Sequence, residues 1–199
     1  MCLLFETIHI MDGVPQHPAW HEARMSRASL ELWGNEQVVN LDRILDIPTA
    51  WLSGSVRCNI RYDTEIREIT FRHCEKRMIR SLKLVRCDAI DYHLKFSDRS
   101  ELESLMGLRG ACDDILIVKN GFLTDTSVSN IIFSDGDRWV TPANPLLKGT
   151  CRDRLVVRGK LYEQDLRPED LVRFAGFKLI NALRDPEEQM VIPVSQIIS

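Results

Sequence analysis

The spacing of apolar positions along this chain predicts many short strands and few helices. Between Pro18 and Gly34 the spacing is helical, since Pro suits the first turn of a helix and Gly suits its end. A second helix is predicted from about Arg99 to Leu108, and a third near residues 168–174. The apolar face of the first helix would be formed by Ala19, Ala23, Leu30 and Trp33.

Strand-type runs dominate the rest of the sequence. Two of them, at about 56–63 and 68–71, precede the second helix. Later, two runs between Lys119 and Phe133 are joined by Asn120-Gly121, which supplies the positive φ angles of a two-residue hairpin. The remaining predicted strands are residues 138–142, after the Asp135-Gly136 turn, and residues 177–180.

The segment Leu147–Arg152 has the features of an anion site. Gly149 predicts a tight turn into a helix that Thr150 would cap, with Asp153 as the acidic partner of a capping box. A helix N-terminus attracts anions, and Lys148 and Arg152 add positive charge. Ordinary helix capping explains the same pattern without any ligand.

Polar side chains interrupt an otherwise apolar strand region. Carboxylates and hydroxyls disfavour strands, so their presence there suggests a function. An outward, solvated face would explain them equally well. The residues are Asp125, Thr126, Ser127, Ser129 and Asn130.

Composition narrows the class of protein. The 199 residues are 44% hydrophobic and 28% charged, as in ordinary globular proteins. A net charge of -3 without a nucleic-acid-type basic run argues against nucleic acid as a partner. The six cysteines lack CxxC or metal-ligand spacing and follow no secretory signal, and no apolar stretch approaches the ~20 residues of a membrane span. We therefore expect a cytoplasmic protein with reduced thiols, no metal site and no membrane segment.

Several ordered segments resemble the class IV, or fold type IV, pyridoxal-phosphate (PLP) enzymes. This family includes branched-chain and D-amino acid aminotransferases and 4-amino-4-deoxychorismate lyase. The resemblance implies an α+β fold of two small α/β domains with a reduced N-terminal domain, here residues 1–84 and 92–199 around a connector at 84–91. The segments that carry it are 5–10 with 12–13, 21–25, 95–99, 124–131, 141–142 with 147–152, 179–183 and 192–194.

The resemblance also implies roles for individual residues. Lys95 would bind the cofactor covalently and move the proton at the substrate α-carbon, and Asp125 would pair with the pyridine nitrogen. Asp125 departs from the usual Glu of the family. His21 is expected to brace its helix. The other cofactor-binding residues, most of them around the phosphate, would be Arg24, Ser129, Asn130, Gly149, Thr150, Asn181 and Ala182.

Arg61 and Tyr62 are the candidate substrate ligands, with Arg57 a weaker one, although an exposed position on the strand explains them equally well. The resemblance implies a PLP-dependent enzyme acting on the amino group of a small amino-acid-like substrate. Its reaction would be transamination or pyruvate elimination of the aminodeoxychorismate lyase type. A catalytically silent relative that acts as a binding protein is the alternative. A homodimer is expected.

Overall fold

The computed structural model divides the chain into two compact units. The residues described are 2–36, 38–75 and 77–199. The first unit comprises the described residues up to 75 together with 94–98, and the second comprises 77–93 and 99–199.

These boundaries differ from the predicted domains at 1–84 and 92–199. Leu82–Arg86, placed partly in the predicted connector at 84–91, is a strand in the sheet of the second unit. Residues 94–98 belong to the first unit, because Phe96 pairs with the beginning of its first strand.

The first unit is built on an antiparallel sheet. Its described strands are β1 (Leu4–Met11), β2 (Val14–Pro15), β3 (Ser55–Tyr62) and β4 (Ile66–His73). They lie in the order β2-β1-β3-β4. Helices α1 (Pro18–Trp33) and α2 (Leu41–Ile44) follow β2, and Met25 and Ala28 of α1 pack with Ile8 and Ile60 of the sheet. The strands predicted at 56–63 and 68–71 are confirmed.

The limits of α1 are confirmed, but its predicted apolar face is wrong at three of its four positions; the fourth, Trp33, is partly buried and packs against the core of the unit. Gly34 ends the helix with φ at 70°, and its N–H donates to the carbonyl of Leu30. Ala19, Ala23 and Leu30 are exposed. The buried positions are His21, Arg24, Met25, Ala28 and Ser29. The spacing of apolar residues predicted the wrong buried face because three of the five buried residues of α1 are polar.

The second unit contains a mixed sheet. Its described strands are β5 (Leu82–Arg86), β6 (Asp114–Lys119), β7 (Phe122–Thr126), β8 (Asn130–Ser134), β9 (Trp139–Pro142), β10 (Tyr162–Gln164), β11 (Gly176–Ile180), β12 (Ile192–Pro193) and β13 (Ile197–Ile198). The path of the sheet is β10-β9-β8-β7-β6-β5-β13, and β11 pairs with β8 and β12. Its helices are α3 (Ser100–Met106) and α4 (Thr150–Val157), with a 3-10 helix at Pro168–Arg173.

The predicted hairpin is confirmed, since Asn120 and Gly121 have φ angles of 52° and 80° between β6 and β7. Strand β8 connects several parts of this sheet. Its first residue, Asn130, pairs with Asp125 of β7 on one side and with Ile180 of β11 on the other. Within the described ranges, no helix is both long and apolar enough to cross a membrane.

Candidate functional site

Strand β1 fixes the backbone around Lys95. The N–H of Phe5 donates to the carbonyl of Lys95 at 3.0 Å, and Leu4 and Phe96 form an antiparallel bridge. The Nζ atom of Lys95 lies 4.4 Å from the centroid of the Phe5 ring. An ammonium group against an aromatic face makes a favourable cation–π contact, so Phe5 helps to orient the Lys95 side chain in its protonated form.

The next residue of β1, Glu6, holds Arg24. Its fully buried carboxylate accepts hydrogen bonds from Arg24 Nε at 2.8 Å and Arg24 Nη2 at 2.5 Å, and lies 2.7 Å from His21 Nδ1. Burial alone would raise the pKa of Glu6, but the charge of Arg24 and the hydrogen bond and charge of His21 outweigh it and lower the pKa to about 2. Glu6 is therefore an anion at neutral pH.

This ion pair decides how Arg24 can meet a ligand. A guanidinium has two forked edges, and Glu6 occupies the one formed by Nε and Nη2. A phosphate ligand would therefore have to meet the other edge, formed by Nη1 and Nη2. Arg24 is 8% exposed, which excludes an ordinary surface arginine. His21 braces the helix through Glu6, as expected from the sequence.

Glu6 is a site residue that sequence reasoning missed. Its signal was present, because Leu4, Ile8 and Ile10 share the inward face of β1 with it. A carboxylate in the middle of such an apolar row must have a buried partner.

The structure separates the two predicted substrate ligands. Arg61 and Tyr62 are neighbours on β3 and point to opposite faces. Tyr62 is 1% exposed in the core of the first unit, where burial and the nearby Glu6 raise the pKa of its hydroxyl. Arg61 is exposed, and its Nη1 atom lies 3.5 Å from Oε2 of Glu68. The two candidates therefore do not line the same face of β3, and the position of Tyr62 in the core corrects its assignment as a substrate ligand.

Arg57, the weaker candidate, is exposed on the same face of β3 as Arg61. Its Nε donates to Asn59 Oδ1 at 3.2 Å, and the hydroxyl of Thr7 donates to the same oxygen at 3.0 Å. This face carries polar groups from both β1 and β3.

In the second unit, six polar residues of β7, of the start of β8 and of the turn between them are buried, so the solvated-face interpretation is wrong. They are Thr124, Asp125, Thr126, Ser127, Ser129 and Asn130. Buried polar groups need partners, and these come from the turn and from neighbouring segments, as where the hydroxyl of Thr124 donates to the carbonyl of Ile117. The hydroxyl of Thr126, for instance, donates to the carbonyl of Ser129.

Asp125 is the buried carboxylate of this region. Its Oδ1 accepts from Asn130 Nδ2 at 2.8 Å, and its Oδ2 accepts from the backbone N–H of Leu147 at 2.9 Å. Burial raises the pKa of Asp125 to about 6, against the lowering effects of these two hydrogen bonds and of the Arg152 charge. Among the described residues, no cation forms an ion pair with this carboxylate, which suits it to a cationic ligand.

Gly149 precedes α4 and is packed against Asn130. Its φ of -72° and ψ of 142° are open to any residue, so no tight Gly turn is present. A Cβ at this position would overlap Asn130 Oδ1. Gly149, rather than Thr150, is the N-cap of α4. The predicted Thr150–Asp153 capping box is therefore wrong, because Thr150 already lies within the helix.

Arg152 does not contribute its charge to an anion site. Its side chain is fully buried, and Nη2 donates to the carbonyl of Pro142 at 2.9 Å and to Glu163 Oε1 at 2.7 Å. Lys148 is exposed. The predicted positive cluster beside the helix N-terminus is thus reduced to Lys148 and the amides of α4.

Asn181 and Ser129 are brought together. Asn181 Nδ2 donates to Ser129 Oγ at 3.0 Å and to the carbonyl of Val128 at 3.2 Å. Its Oδ1 accepts from the N–H of Leu183, so Ala182 lies within a closed turn. The pairing of β11 with β8 places this turn beside Asn130.

Arg99 lies in the segment 95–99 that carries part of the family resemblance, and the structure gives it a position in the second unit. Its Nη2 donates to the carbonyl of Ser127 at 2.8 Å, and its Nη1 to the hydroxyl of Tyr92 at 3.2 Å. Arg99 thereby fixes the turn that comes after Asp125. Among the described residues, no group of His, Cys, Asp and Glu side chains could hold a metal ion.

Several known proteins resemble this chain in sequence and fold. Residues 100–197 match the family described as amino-transferase class IV. An uncharacterised protein of Haemophilus influenzae is 40% identical over 182 residues, covering 90% of this chain and 97% of that protein. A solved structure from Haemophilus somnus, a candidate 4-amino-4-deoxychorismate lyase, is 34% identical with a TM-score of 0.85, covering 92% of this chain and 97% of that one. The chain belongs to the class IV aminotransferase family.

A hypothetical aminotransferase from Mycobacterium tuberculosis, solved in its PLP-bound form, has a TM-score of 0.76 at 17% identity and covers 98% of this chain and 81% of that one. The predicted family and the predicted fold type IV architecture are confirmed. The enzymes of this family are PLP-dependent aminotransferases and lyases.

Proposed function

We propose that this chain is a PLP-dependent enzyme that acts on the amino group of a small amino-acid-like substrate. The observation that carries the proposal is Asp125, a buried carboxylate with a pKa raised to about 6 by burial. Such a group gains most from a cation that enters its site. The protonated pyridine nitrogen of PLP is such a cation, so the residues present fit the cofactor.

When bound, PLP supplies an electron sink that stabilises negative charge at the substrate α-carbon. Asp125 would hold the ring nitrogen in its protonated form. Lys95, oriented by Phe5, would bind the cofactor covalently and move the α-proton.

Each unit carries groups suited to the phosphate. In the first unit, Arg24 would donate from its Nη1–Nη2 edge, because Glu6 occupies the Nε–Nη2 edge. In the second unit, the backbone at Gly149 and Thr150 and the N–H of Ala182 would donate to the phosphate, with Ser129 beside them. Asn181 would shape this turn, since its own N–H donates to the carbonyl of Arg184.

For the substrate carboxylate we retain Arg61, since Tyr62 faces the core. Arg61 is already 3.5 Å from Glu68, with both side chains about half exposed. A substrate carboxylate would compete with Glu68 for the guanidinium, and such exposed pairs are weak enough to exchange.

The reaction is either transamination or pyruvate elimination from an aminodeoxychorismate-like substrate. The 34% identical relative, a candidate 4-amino-4-deoxychorismate lyase, favours the lyase. The test is to mix the PLP-loaded protein with single amino acids and with aminodeoxychorismate, and to measure the cofactor spectrum and pyruvate release. Stoichiometric conversion of the cofactor by an amino acid supports transamination, and catalytic pyruvate release supports the lyase. A protein that binds no PLP would overturn both.

We also propose a homodimer. A short first unit exposes more of the cofactor to water unless a second chain covers it, and water would weaken each polar contact to the cofactor. Light scattering should give about twice the chain mass of 22.9 kDa. A fully active monomer would contradict this part of the proposal.

A further inference from the structure

We propose that Asn130 is a positioning residue, which fixes the Asp125 carboxylate and the segment before α4 in a single arrangement. Its role for the cofactor rests on the proposed function, whereas its role in the fold does not. The family resemblance assigned Asn130 to the cofactor directly. The structure instead shows both hydrogen bonds of its amide group made to the protein.

The hydrogen bonds form a closed ring, which we call the Asn130 network. Asn130 Nδ2 donates to Asp125 Oδ1 at 2.8 Å and to the carbonyl of Leu147 at 2.9 Å. The N–H of Leu147 donates to Asp125 Oδ2 at 2.9 Å. The amide, the carboxylate and the Leu147 residue are therefore each bonded to the other two, and none of the three members can shift alone.

Gly149 makes the Asn130 network possible, because it has no side chain and the Asn130 amide occupies the space that a Cβ would need. The three atoms nearest to a Cβ placed on Gly149 all belong to the Asn130 side chain. The backbone of Gly149 does not itself need glycine, since its φ of -72° suits any residue. A side chain at position 149 would displace the amide and break its bonds to Asp125 and Leu147.

The network connects two parts of the proposed PLP site. Asp125 would meet the ring nitrogen, and Gly149, two residues after Leu147, would meet the phosphate. The pyridine ring is rigid and carries its phosphate on a short arm, so the two protein elements must keep a set separation. Asn130 fixes the separation between the Asp125 carboxylate and the backbone at Gly149. It does so for an Asp, whose side chain is shorter than that of the usual Glu.

The test is a double-mutant cycle of Asn130→Ala and Gly149→Ala, measured as affinity for PLP and as the thermal midpoint of the cofactor-free protein. Each single variant should weaken PLP binding by roughly tenfold or more. The double variant should be no worse than Asn130→Ala alone, because removing the amide frees the space that the added methyl needs. Fully additive losses would overturn the proposal.

Two matched control variants distinguish loss of the Asn130 network from a general loss of stability. Asn144→Ala removes another Asn–Asp hydrogen bond, to Asp165, and Gly107→Ala adds a methyl to a glycine with no atom within 4 Å of the new Cβ. Neither should change PLP affinity.

A pH profile provides a readout that a purely structural role would not move. The Asn130 hydrogen bond favours ionised Asp125, as does the Arg152 charge, so Asn130→Ala should raise the pH below which PLP binding weakens. An unchanged profile would contradict the positioning role. If the wild-type protein binds no PLP, the proposed function fails, while coupling of the thermal midpoints in the cofactor-free cycle still decides whether the network exists.

Discussion

Glu6 and Arg24 join the first strand to the first helix through two hydrogen bonds, from Nε at 2.8 Å and Nη2 at 2.5 Å to the two carboxylate oxygens. The pair is buried, and Phe5 beside Glu6 holds Lys95. Two consecutive residues of β1 therefore orient the proposed nucleophile and the proposed phosphate ligand.

Removing the Glu6 charge should destabilise the protein strongly. In Glu6→Gln, Arg24 loses its buried counter-charge, and losses of about 3–5 kcal/mol are typical when one partner of a buried pair is removed. Urea unfolding of the cofactor-free protein measures the change. The matched control is Glu68→Gln, whose exposed pair with Arg61 should contribute about 0–1 kcal/mol. Equal effects of the two substitutions would show that the Glu6 pair is unimportant.

Arg24 should distinguish PLP from pyridoxal, which lacks the phosphate. In Arg24→Lys the positive charge beside Glu6 is kept. An ammonium group, however, lacks the two forked edges with which a guanidinium can bind Glu6 and a phosphate at the same time. We expect PLP affinity to fall by about 1.5–3 kcal/mol while pyridoxal affinity changes little. Arg27→Lys, an exposed change on the same helix, is the control. A variant that still prefers PLP as strongly as the wild type would remove Arg24 from the phosphate site.

Asp125 should make the stability of the cofactor-free protein depend on pH. Because its folded-state pKa is raised from 3.8 to about 6, the folded state binds the proton more tightly than the unfolded state. The unfolding free energy should therefore fall as pH rises from about 4 to above 6, by up to about 3 kcal/mol. The measurement is urea unfolding of the wild type and Asp125→Asn across this range. If the difference between the two proteins does not change with pH, Asp125 is not a buried ionisable group of this kind.

Much of the fold could be predicted from local signals. Pro18 and Gly34 mark the limits of α1, and Asn120-Gly121 marks the hairpin, because these residues have specific backbone requirements. The face that α1 buries could not be predicted from apolar spacing. Arg24 is buried beside Glu6, which lies 18 positions earlier and supplies its counter-charge.

In the candidate site, too, residue types could be predicted from the sequence, whereas contacts between distant residues could not. Family resemblance pointed to Asp125, Asn130 and Gly149 as separate ligands, and their identities were readable from motifs. Their mutual packing was not, because the exclusion of a Cβ at Gly149 depends on the Asn130 amide across the fold. The capping role predicted for Thr150 failed for a related reason. The chain enters α4 one residue earlier than its capping preference suggests.

The site of cofactor attachment tests the proposed function most directly. The protein loaded with PLP is reduced with borohydride, digested and mapped by mass spectrometry. Lys95, held against Phe5 by β1, should carry the reduced cofactor at close to one label per chain. A label on Lys83 or Lys119 instead, or no stable label on any lysine, would contradict the assignment of this chain as a PLP enzyme built around Lys95.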